Sequence, residues 1–123
     1  MDVSRMERTL RSPWARRFLA RVFSADEISA CEAAVNPTQA FAARFAAKEA
    51  VVKALGTGFS RGVTPGKIIV QGGERSQPTV KLLAEAHERA RYMKVGHIHL
   101  SLAHTPHTAC ASVVLESDTH QTT

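Results

Sequence analysis

The sequence predicts an α+β domain in which helices pack on a small antiparallel sheet. An alanine-rich, helix-forming stretch spans residues 37–55, an alternating apolar pattern spans residues 97–103, and the helical patterns precede the strand patterns. Helices that come first and strands that follow favour α+β over an alternating α/β order. The chain has 123 residues, so we expect one domain over residues 1–116 and a polar C-terminal tail over residues 117–123.

Capping signals predict two short helices before the alanine-rich one. Ser12-Pro13 has the pattern of an N-cap followed by proline at the first helical position, which predicts a helix from there to Val22. Ser24 and Glu27 have the spacing of a capping box, so we expect a second helix that ends near Val35.

The third helix is the strongest element in the sequence. Asn36-Pro37 predicts its start and Gly56 its C-terminal cap. Its apolar residues point in almost every direction at about 100° per residue, which indicates a helix that is buried on most sides.

The second half of the chain has strand patterns. Glycines and Pro78 separate two β-rich segments, and a connection of hairpin length joins two later ones. We expect strands over residues 67–71, 79–83, 97–103 and 108–115, with a short helix over residues 85–92.

Four charged residues interrupt the apolar third helix, namely Arg44, Lys48, Glu49 and Lys53. Buried charges are costly unless they are paired or bind something. Glu49 and Lys53 are four positions apart and share a face, as do Arg44 and Lys48. One interpretation is structural pairing, including a Glu49–Lys53 bridge. The other is a carboxylate for a metal beside a lysine for a phosphate.

Other candidate residues carry weaker signals. Gly56-Thr57-Gly58 allows close approach of a phosphate, although a helix cap equally explains Gly56. His97 and His99 share a strand face as a metal pair does, but no third ligand has a recognisable spacing, which favours a polar strand face. His104 ends that strand and has the position of a turn residue.

The N-terminal segment concentrates the positive charge of the chain. The net charge is +5, and residues 1–22 contain six arginines against Asp2 and Glu7. Such a cluster attracts an anionic partner, whether nucleic acid, a phosphate-rich cofactor or an acidic protein. A nucleic-acid-binding module is less favoured because we expect no aromatic platform among the arginines. No apolar run approaches the ~20 residues that span a bilayer, and the two distant cysteines predict reduced thiols in the cytoplasm.

Several segments together resemble the holo-acyl-carrier-protein synthase family, the short trimeric phosphopantetheinyl transferases. RFAAKEAVVKALGTG, from Arg44 to Gly58, is similar to the main family signature nearly residue for residue. MDVSRMERT, RFLARVFSADEI from Arg17 and SLAHT from Ser101 resemble further family segments, in the family's order. The resemblance covers most of the chain.

The resemblance implies transfer of the 4′-phosphopantetheine group from coenzyme A to a serine of an acidic acyl carrier protein, with Mg²⁺. Asp2 and Glu49 would be the metal carboxylates, and Lys53 would contact the coenzyme phosphates and assist the leaving group; these three would be catalytic. The coenzyme site would include Lys53 with Arg44, Lys48, Gly56, Thr57, Gly58, His104 and Thr105. The carrier-docking face would be Arg8, Arg17, Phe18 and Arg21.

The family further implies a homotrimer whose active site lies between subunits. The sequence departs from the family pattern in two places. Family members carry a short apolar strand before the aspartate, whereas Asp2 is the second residue here, so we expect Asp2 to be poorly fixed. Ser76-Gln77-Pro78 replaces a glycine-lysine-proline turn, which removes a basic contact. An inactive trimeric relative, the choice of carrier protein and the identity of the general base stay open.

Overall fold

One long central helix organises the fold, which we describe from a computed structural model over residues 1–73 and 76–118. Within the described residues, four helices and a 3₁₀ turn come first, and the four strands that follow are divided into two antiparallel pairs by a fifth helix. They are α1 (Val3–Arg11), α2 (Ala15–Val22), α3 (Ala25–Glu32), α4 (Pro37–Leu55), the 3₁₀ turn (Pro65–Lys67), β1 (Ile68–Gln71), β2 (Thr79–Leu82), α5 (Ala84–Tyr92), β3 (Val95–His104) and β4 (Ala109–Ser117).

The strands form two antiparallel pairs rather than one continuous sheet. β1 pairs with β2, with Ile68 opposite Leu82, and β3 pairs with β4, with Leu100 opposite Val113. Helix α4 packs across β4 and also contacts β1 and β3. The α+β prediction is therefore confirmed, with the sheet divided into two.

Helix α4 begins and ends where the sequence predicted. The Asn36 side chain accepts a hydrogen bond from the backbone N–H of Gln39 (3.1 Å), and Gly56 ends the helix with φ of +78°. Its apolar residues contribute to three core clusters. One includes Phe41 with residues of α1–α3, one Val51, Val52 and Leu55 with α5 and Ile68, and one Ala47 with Val70 and Leu100. The prediction of a helix buried on most sides is confirmed.

The N-terminal helix α1 was not predicted. The side chain of Asp2 caps it by accepting a hydrogen bond from the backbone N–H of Ser4. The prediction of an N-cap at Ser12 was wrong. Ser12 ends α1 instead, since its hydroxyl donates to the Thr9 carbonyl (2.7 Å), and α2 begins only at Ala15.

Helix α3 shows the predicted capping box between Ser24 and Glu27, but it ends at Glu32 rather than near Val35. The following Asn36 is extended (φ −127°, ψ 94°) because it precedes a proline. This early end leaves a turn between α3 and α4 and exposes Val35 fully.

The C-terminal strands are longer than predicted. β3 begins at Val95, and β4 runs to Ser117, so the first residue of the predicted tail belongs to a strand. Residues 119–123 of that tail lie outside the described residues, and the domain boundary stays a prediction. Among residues 1–73 and 76–118, no helix has both the length and the apolar composition needed to span a bilayer.

Candidate active site

Glu49 and Lys53 lie one turn apart near the C-terminal end of α4. Glu49 is half-buried and Lys53 is exposed. Neither side chain forms an ion pair within the part of the chain that the structure describes, so the Glu49–Lys53 bridge of the structural interpretation is not formed. The Glu49 carboxylate and the Lys53 ammonium are thus left available for a ligand.

The turn Gly56-Thr57-Gly58 follows directly. The N–H groups of Thr57 and Gly58 both donate to the Val52 carbonyl (3.2 and 3.1 Å). These two donors therefore cap the C-terminal end of α4. Gly58 has φ of +59°, and a Cβ built there would meet nothing within 4 Å. Gly58 therefore leaves open space for a ligand, while the N–H groups of this turn are already used by the helix cap.

Arg89 of α5 fixes this turn from the other side. Its Nε donates to the Leu55 carbonyl (2.8 Å) at the end of α4, and its guanidinium lies 3.3 Å from a Cβ built on Gly56. The positive charge faces the negative end of the helix dipole. No sequence pattern singled out this arginine, because the contact joins elements that are far apart in the chain.

Asp2 is firmly placed, contrary to our expectation. Its Oδ1 accepts from the backbone N–H (2.9 Å) and the hydroxyl (2.8 Å) of Ser4, and these bonds lower the pKa of its exposed carboxyl. The Met1 carbonyl accepts from the N–H of Ala109 (2.8 Å), and the N–H of Val3 donates to the His107 carbonyl (2.9 Å). Asp2 consequently lies beside the β3–β4 turn.

That turn holds the predicted residues His104 and Thr105. The Thr105 hydroxyl accepts from the N–H groups of His107 (3.2 Å) and Thr108 (3.0 Å), which shapes the turn. His104 is exposed and lines a surface pocket of about 530 Å³ together with Arg44, Gly72 and Gly73. The fold thus brings Asp2, His104 and Thr105 to one end of the β3–β4 hairpin.

Arg44 has a structural contact as well as a place at this pocket. It is buried, and its guanidinium donates to the carbonyls of Val70 (2.7 Å) and Gly72 (3.2 Å) after β1. Arg44 and Lys53 are nine positions apart on α4. At about 100° per residue they project from opposite sides of the helix. Within one chain the structure does not bring them to one ligand.

Lys48 does not lie at the ligand-facing surface that we predicted. It is fully buried, and its ammonium donates to Glu27 Oε1 (3.0 Å), the Pro65 carbonyl (3.0 Å) and the Ile68 carbonyl. Burial lowers the pKa of Lys48, and the Glu27 carboxylate opposes that effect. All three N–H donors are taken, so Lys48 has none left for a coenzyme phosphate.

Glu27 is the buried partner that the sequence analysis treated only as a helix cap. Its Oε1 accepts from the Ser24 N–H (2.9 Å) as well as from Lys48, and its Oε2 accepts from the Val70 N–H (2.9 Å). One carboxylate therefore joins α3, α4 and β1. The signal that points to it is Lys48 itself, a cation on a buried helix that needs an acidic partner.

The predicted docking residues divide into two kinds. Arg8, Arg17 and Arg21 are exposed. Phe18 is half-buried, and its ring packs against Phe45 (centroids 6.2 Å apart, stacked) and edge-on to Phe23 (6.2 Å). The arginines present charge to solvent, whereas Phe18 mainly anchors α2 to the core.

The histidine pair on β3 behaves as a polar strand face. The His97 and His99 rings have centroids 4.2 Å apart, and His99 Nε2 lies 3.0 Å from Glu116 Oε1 on β4. No group of three or more metal-ligating side chains of histidine, cysteine or acidic type is assembled within residues 1–73 and 76–118.

The donors at Glu49 and Asp2 fit a hard cation. Mg²⁺ takes oxygen ligands and is usually held by one or two carboxylates, with phosphate and water completing its shell. Glu49 has no protein partner among the described residues, and both Ser4 bonds to Asp2 go to Oδ1. Each carboxylate therefore has an oxygen available to an ion that shares its ligands with a substrate.

Comparisons with known proteins identify the family of the chain. A sequence model of the 4′-phosphopantetheinyl transferase superfamily matches residues 1–112. The chain is similar to the holo-[acyl-carrier-protein] synthase of Maridesulfovibrio salexigens, with 42% identity over 94% of each chain. It is also 44% identical to the synthase of Anaeromyxobacter dehalogenans, over 94% of this chain and 90% of that protein.

A solved structure has the same fold. The crystal structure of the Helicobacter pylori holo-[acyl-carrier-protein] synthase in complex with coenzyme A superposes with a TM-score of 0.80 at 26% identity, covering 94% of this chain and 95% of that chain. Sequence and fold agree over nearly the whole length. The chain belongs to the holo-[acyl-carrier-protein] synthases of the 4′-phosphopantetheinyl transferase superfamily.

Proposed function

We propose that this protein transfers the 4′-phosphopantetheine group of coenzyme A to a serine of an apo-acyl carrier protein and releases 3′,5′-ADP. The observation that carries the proposal is that Glu49 and Lys53, one turn apart on α4, have no side-chain partner within residues 1–73 and 76–118, in a chain of this family. The Helicobacter pylori relative was crystallised with coenzyme A, which supports coenzyme A as the group donor.

In the proposed reaction the carrier serine oxygen forms a bond to the β-phosphorus of coenzyme A. The bond from that phosphorus to the oxygen bridging to the α-phosphate breaks. Charge then develops on the phosphoryl and leaving oxygens, so positioning and cationic stabilisation dominate the rate. The Lys53 ammonium, exposed beside the open turn at Gly58, provides such a cation and donates hydrogen bonds to phosphate oxygens.

Glu49 and Asp2 are the residues that would hold Mg²⁺. When bound, Mg²⁺ would neutralise negative charge on the pyrophosphate oxygens. The hydrogen bonds from Ser4 lower the pKa of the Asp2 carboxyl and so favour its ionised form, the form that binds a cation. The serine proton passes to a carboxylate or to water, and the geometry favours neither.

The simplest test of the proposed function is the mass of a purified apo-carrier protein before and after incubation with the protein, coenzyme A and Mg²⁺. We expect a gain of one phosphopantetheine group on the carrier. A carrier of unchanged mass, with a folded protein, would instead support an inactive relative.

We infer a homotrimer from the resemblance to the trimeric synthase family, and the division of the predicted coenzyme residues supports an active site between subunits. Arg44 and His104 line one pocket, while Glu49 and Lys53 project elsewhere on the same chain. A neighbouring copy can bring its Arg44 and His104 to the Lys53 of the first, which completes the site between subunits. Light scattering should give about three times the chain mass of 13.4 kDa. A monomer with full activity would contradict this arrangement.

The acidic carrier protein is the partner proposed for the exposed arginines of α1 and α2. We name these residues the arginine surface: Arg5, Arg8, Arg11, Arg16, Arg17 and Arg21, all exposed. Only Arg11 forms an ion pair within the described chain, with Glu7 (2.9 Å). The remaining charges are available to steer an anionic partner.

A reducing cytoplasm suits the two cysteines, which form no disulfide with each other.

Charge reversal at the arginine surface should weaken recognition of the carrier protein. We expect Arg17→Glu or Arg21→Glu to raise the KM for the carrier, with a smaller effect at higher salt, because the lost term is electrostatic. Steady-state kinetics with each substrate varied in turn measures this. A change confined to the KM for coenzyme A would assign these arginines to the coenzyme site instead.

A further inference from the structure

The C-terminal end of α4 is an unfavourable place for an anion. Glu49 and Lys53 lie in the last two turns of this helix, and Gly56-Thr57-Gly58 follows it. The carbonyl groups at the end of an α-helix carry a partial negative charge, equivalent to about half an elementary charge. A coenzyme pyrophosphate at this turn is therefore repelled by the helix end, and a cation that neutralises that end favours its binding.

Arg89 of α5 supplies a cation at this helix end. Backbone N–H groups of the following turn bond the carbonyls of Val52 and Lys53. The carbonyl of Leu55, the last helical residue, accepts instead from the Arg89 Nε (2.8 Å). Arg89 is half-buried, and its guanidinium lies 3.3 Å from a Cβ built on Gly56. Because arginine stays protonated in proteins, a permanent positive charge is in contact with the negative end of α4.

Arg89 keeps this charge because no acid pairs with it. It forms no ion pair within residues 1–73 and 76–118, and its one side-chain hydrogen bond there goes to the Leu55 carbonyl. The exposed Tyr92 ring covers the guanidinium, with Arg89 Cζ 5.4 Å from the ring centroid. An aromatic ring attracts a cation without neutralising it. The charge of Arg89 thus acts on the helix end rather than on a carboxylate.

Arg89 lies behind the turn, away from the predicted ligand residues. Leu55 packs in one core cluster with Ala86 and Ala90 of α5, so α5 approaches α4 from the side of Leu55. Lys53 is two positions from Leu55, which places the two side chains about 200° apart around the helix. Arg89 therefore reaches the turn from the core side, whereas Lys53 is exposed to solvent.

We propose that Arg89 is a positioning residue for coenzyme A: it neutralises the carbonyl end of α4 and fixes the turn at Gly56, so that a pyrophosphate can lie beside Lys53. This inference rests on the proposed function and adds a residue to it. Arg89 acts through the Leu55 carbonyl and does not touch the substrate. Its loss should weaken binding of coenzyme A and leave recognition of the carrier protein unchanged, because the arginine surface lies on α1 and α2.

Two variants separate the charge of Arg89 from its hydrogen bond. Arg89→Gln keeps a donor for the Leu55 carbonyl and removes the charge, whereas Arg89→Lys keeps a cation. We expect Arg89→Gln to raise the Kd and the KM for coenzyme A on the order of 10-fold, with little change in the KM for the carrier protein. Arg89→Lys should recover most of this loss. Calorimetric titration with coenzyme A and steady-state kinetics with each substrate varied in turn measure these values.

Arg91→Gln is the matched control, since Arg91 is an exposed arginine on the same helix with only a surface contact to Glu88 (3.7 Å). We expect wild-type values from it. An Arg89→Gln protein that is less heat-stable but binds coenzyme A as the wild type does, or that fails to fold, would assign Arg89 a purely structural role and overturn the proposal. Equal losses in Arg89→Lys and Arg89→Gln would also overturn it, because the charge would then not be the cause.

The wild-type protein, tested in parallel by the carrier mass assay, separates this inference from the proposed function. Transfer by the wild type with an unchanged Kd in Arg89→Gln overturns the role of Arg89 alone. A folded wild-type protein that neither binds coenzyme A nor modifies the carrier overturns the proposed function, and this inference with it.

Discussion

Glu49→Gln is expected to slow phosphopantetheine transfer by about 10²-fold or more while the protein stays folded. The substitution keeps the shape of the side chain and removes the negative charge that would hold the cation, and loss of one such electrostatic group typically costs about 10²–10³ in rate. Glu49 forms no ion pair within the described chain and is half-buried, so its charge is not needed by the fold. The measurement is the rate of carrier mass gain at saturating substrates.

Glu88→Gln is the matched control for that substitution. Glu88 is an exposed acid on α5, and its pairing with Arg91 at 3.7 Å is a surface contact. We expect a wild-type rate from this control and wild-type thermal unfolding from both variants. A wild-type rate from Glu49→Gln would remove Glu49 from the metal site, whereas loss of its folded structure would assign it a structural role.

Lys48→Met is expected to destabilise the protein by about 3–5 kcal/mol, the usual effect of removing one partner of a buried ion pair. Glu27 would then be left as an ionised carboxylate in the core, at 2% exposure. Glu27→Gln should have an effect of the same order, because it leaves the Lys48 ammonium buried without its counter-charge. Urea unfolding followed by circular dichroism, extrapolated to water, measures both free energies.

The double variant and a surface control sharpen this prediction. Glu27→Gln with Lys48→Met should lose less stability than the two single variants added together, because the second change removes an unpaired charge that the first created. Arg11→Met breaks the exposed pair with Glu7, whose arginine side chain is 79% exposed, and should change stability by less than about 1 kcal/mol. Additive effects of Glu27 and Lys48 would show that the pair is not coupled.

The sequence predicted α4 well because its signals are local. Asn36-Pro37 and Gly56 mark its ends chemically, and its all-round apolar pattern can be satisfied only by burial. The first helix was missed because its cap, Asp2, gains its position from the pairing of Met1 and Val3 with the β3–β4 turn. That pairing joins residues more than a hundred positions apart, which no local pattern reveals.

The four charges of α4 could be recognised as unusual from the sequence, but their roles could not be separated. Spacing alone treats Arg44 and Lys48 as equivalent to Glu49 and Lys53. The structure divides them by burial, since Lys48 bonds Glu27 and Arg44 bonds the carbonyls after β1. Two cations therefore support the fold, and of these four residues only Glu49 and Lys53 have neither a side-chain hydrogen bond nor an ion pair among the described residues.

The sequence likewise could not separate the roles of the residues at the arginine surface. A one-dimensional pattern gives the number of arginines in residues 1–22 but not which aromatic beside them faces solvent. Phe18 had the sequence position of a docking residue, yet it packs inward, while Trp14 drew no attention and is exposed. The corner between α1 and α2 decides this, and its geometry depends on how α1 packs against α4 and how Phe18 of α2 packs against Phe45 of α4.

The proposed reaction requires a cation and a pyrophosphate to bind together at the turn of α4 that carries Glu49 and Lys53. A crystal structure of the protein grown with coenzyme A and Mg²⁺ tests this most directly. We expect the ion about 2.0–2.1 Å from a Glu49 carboxylate oxygen, with the pyrophosphate in contact with the Lys53 ammonium. Coenzyme A bound elsewhere, with neither ion nor pyrophosphate at this turn, would contradict it.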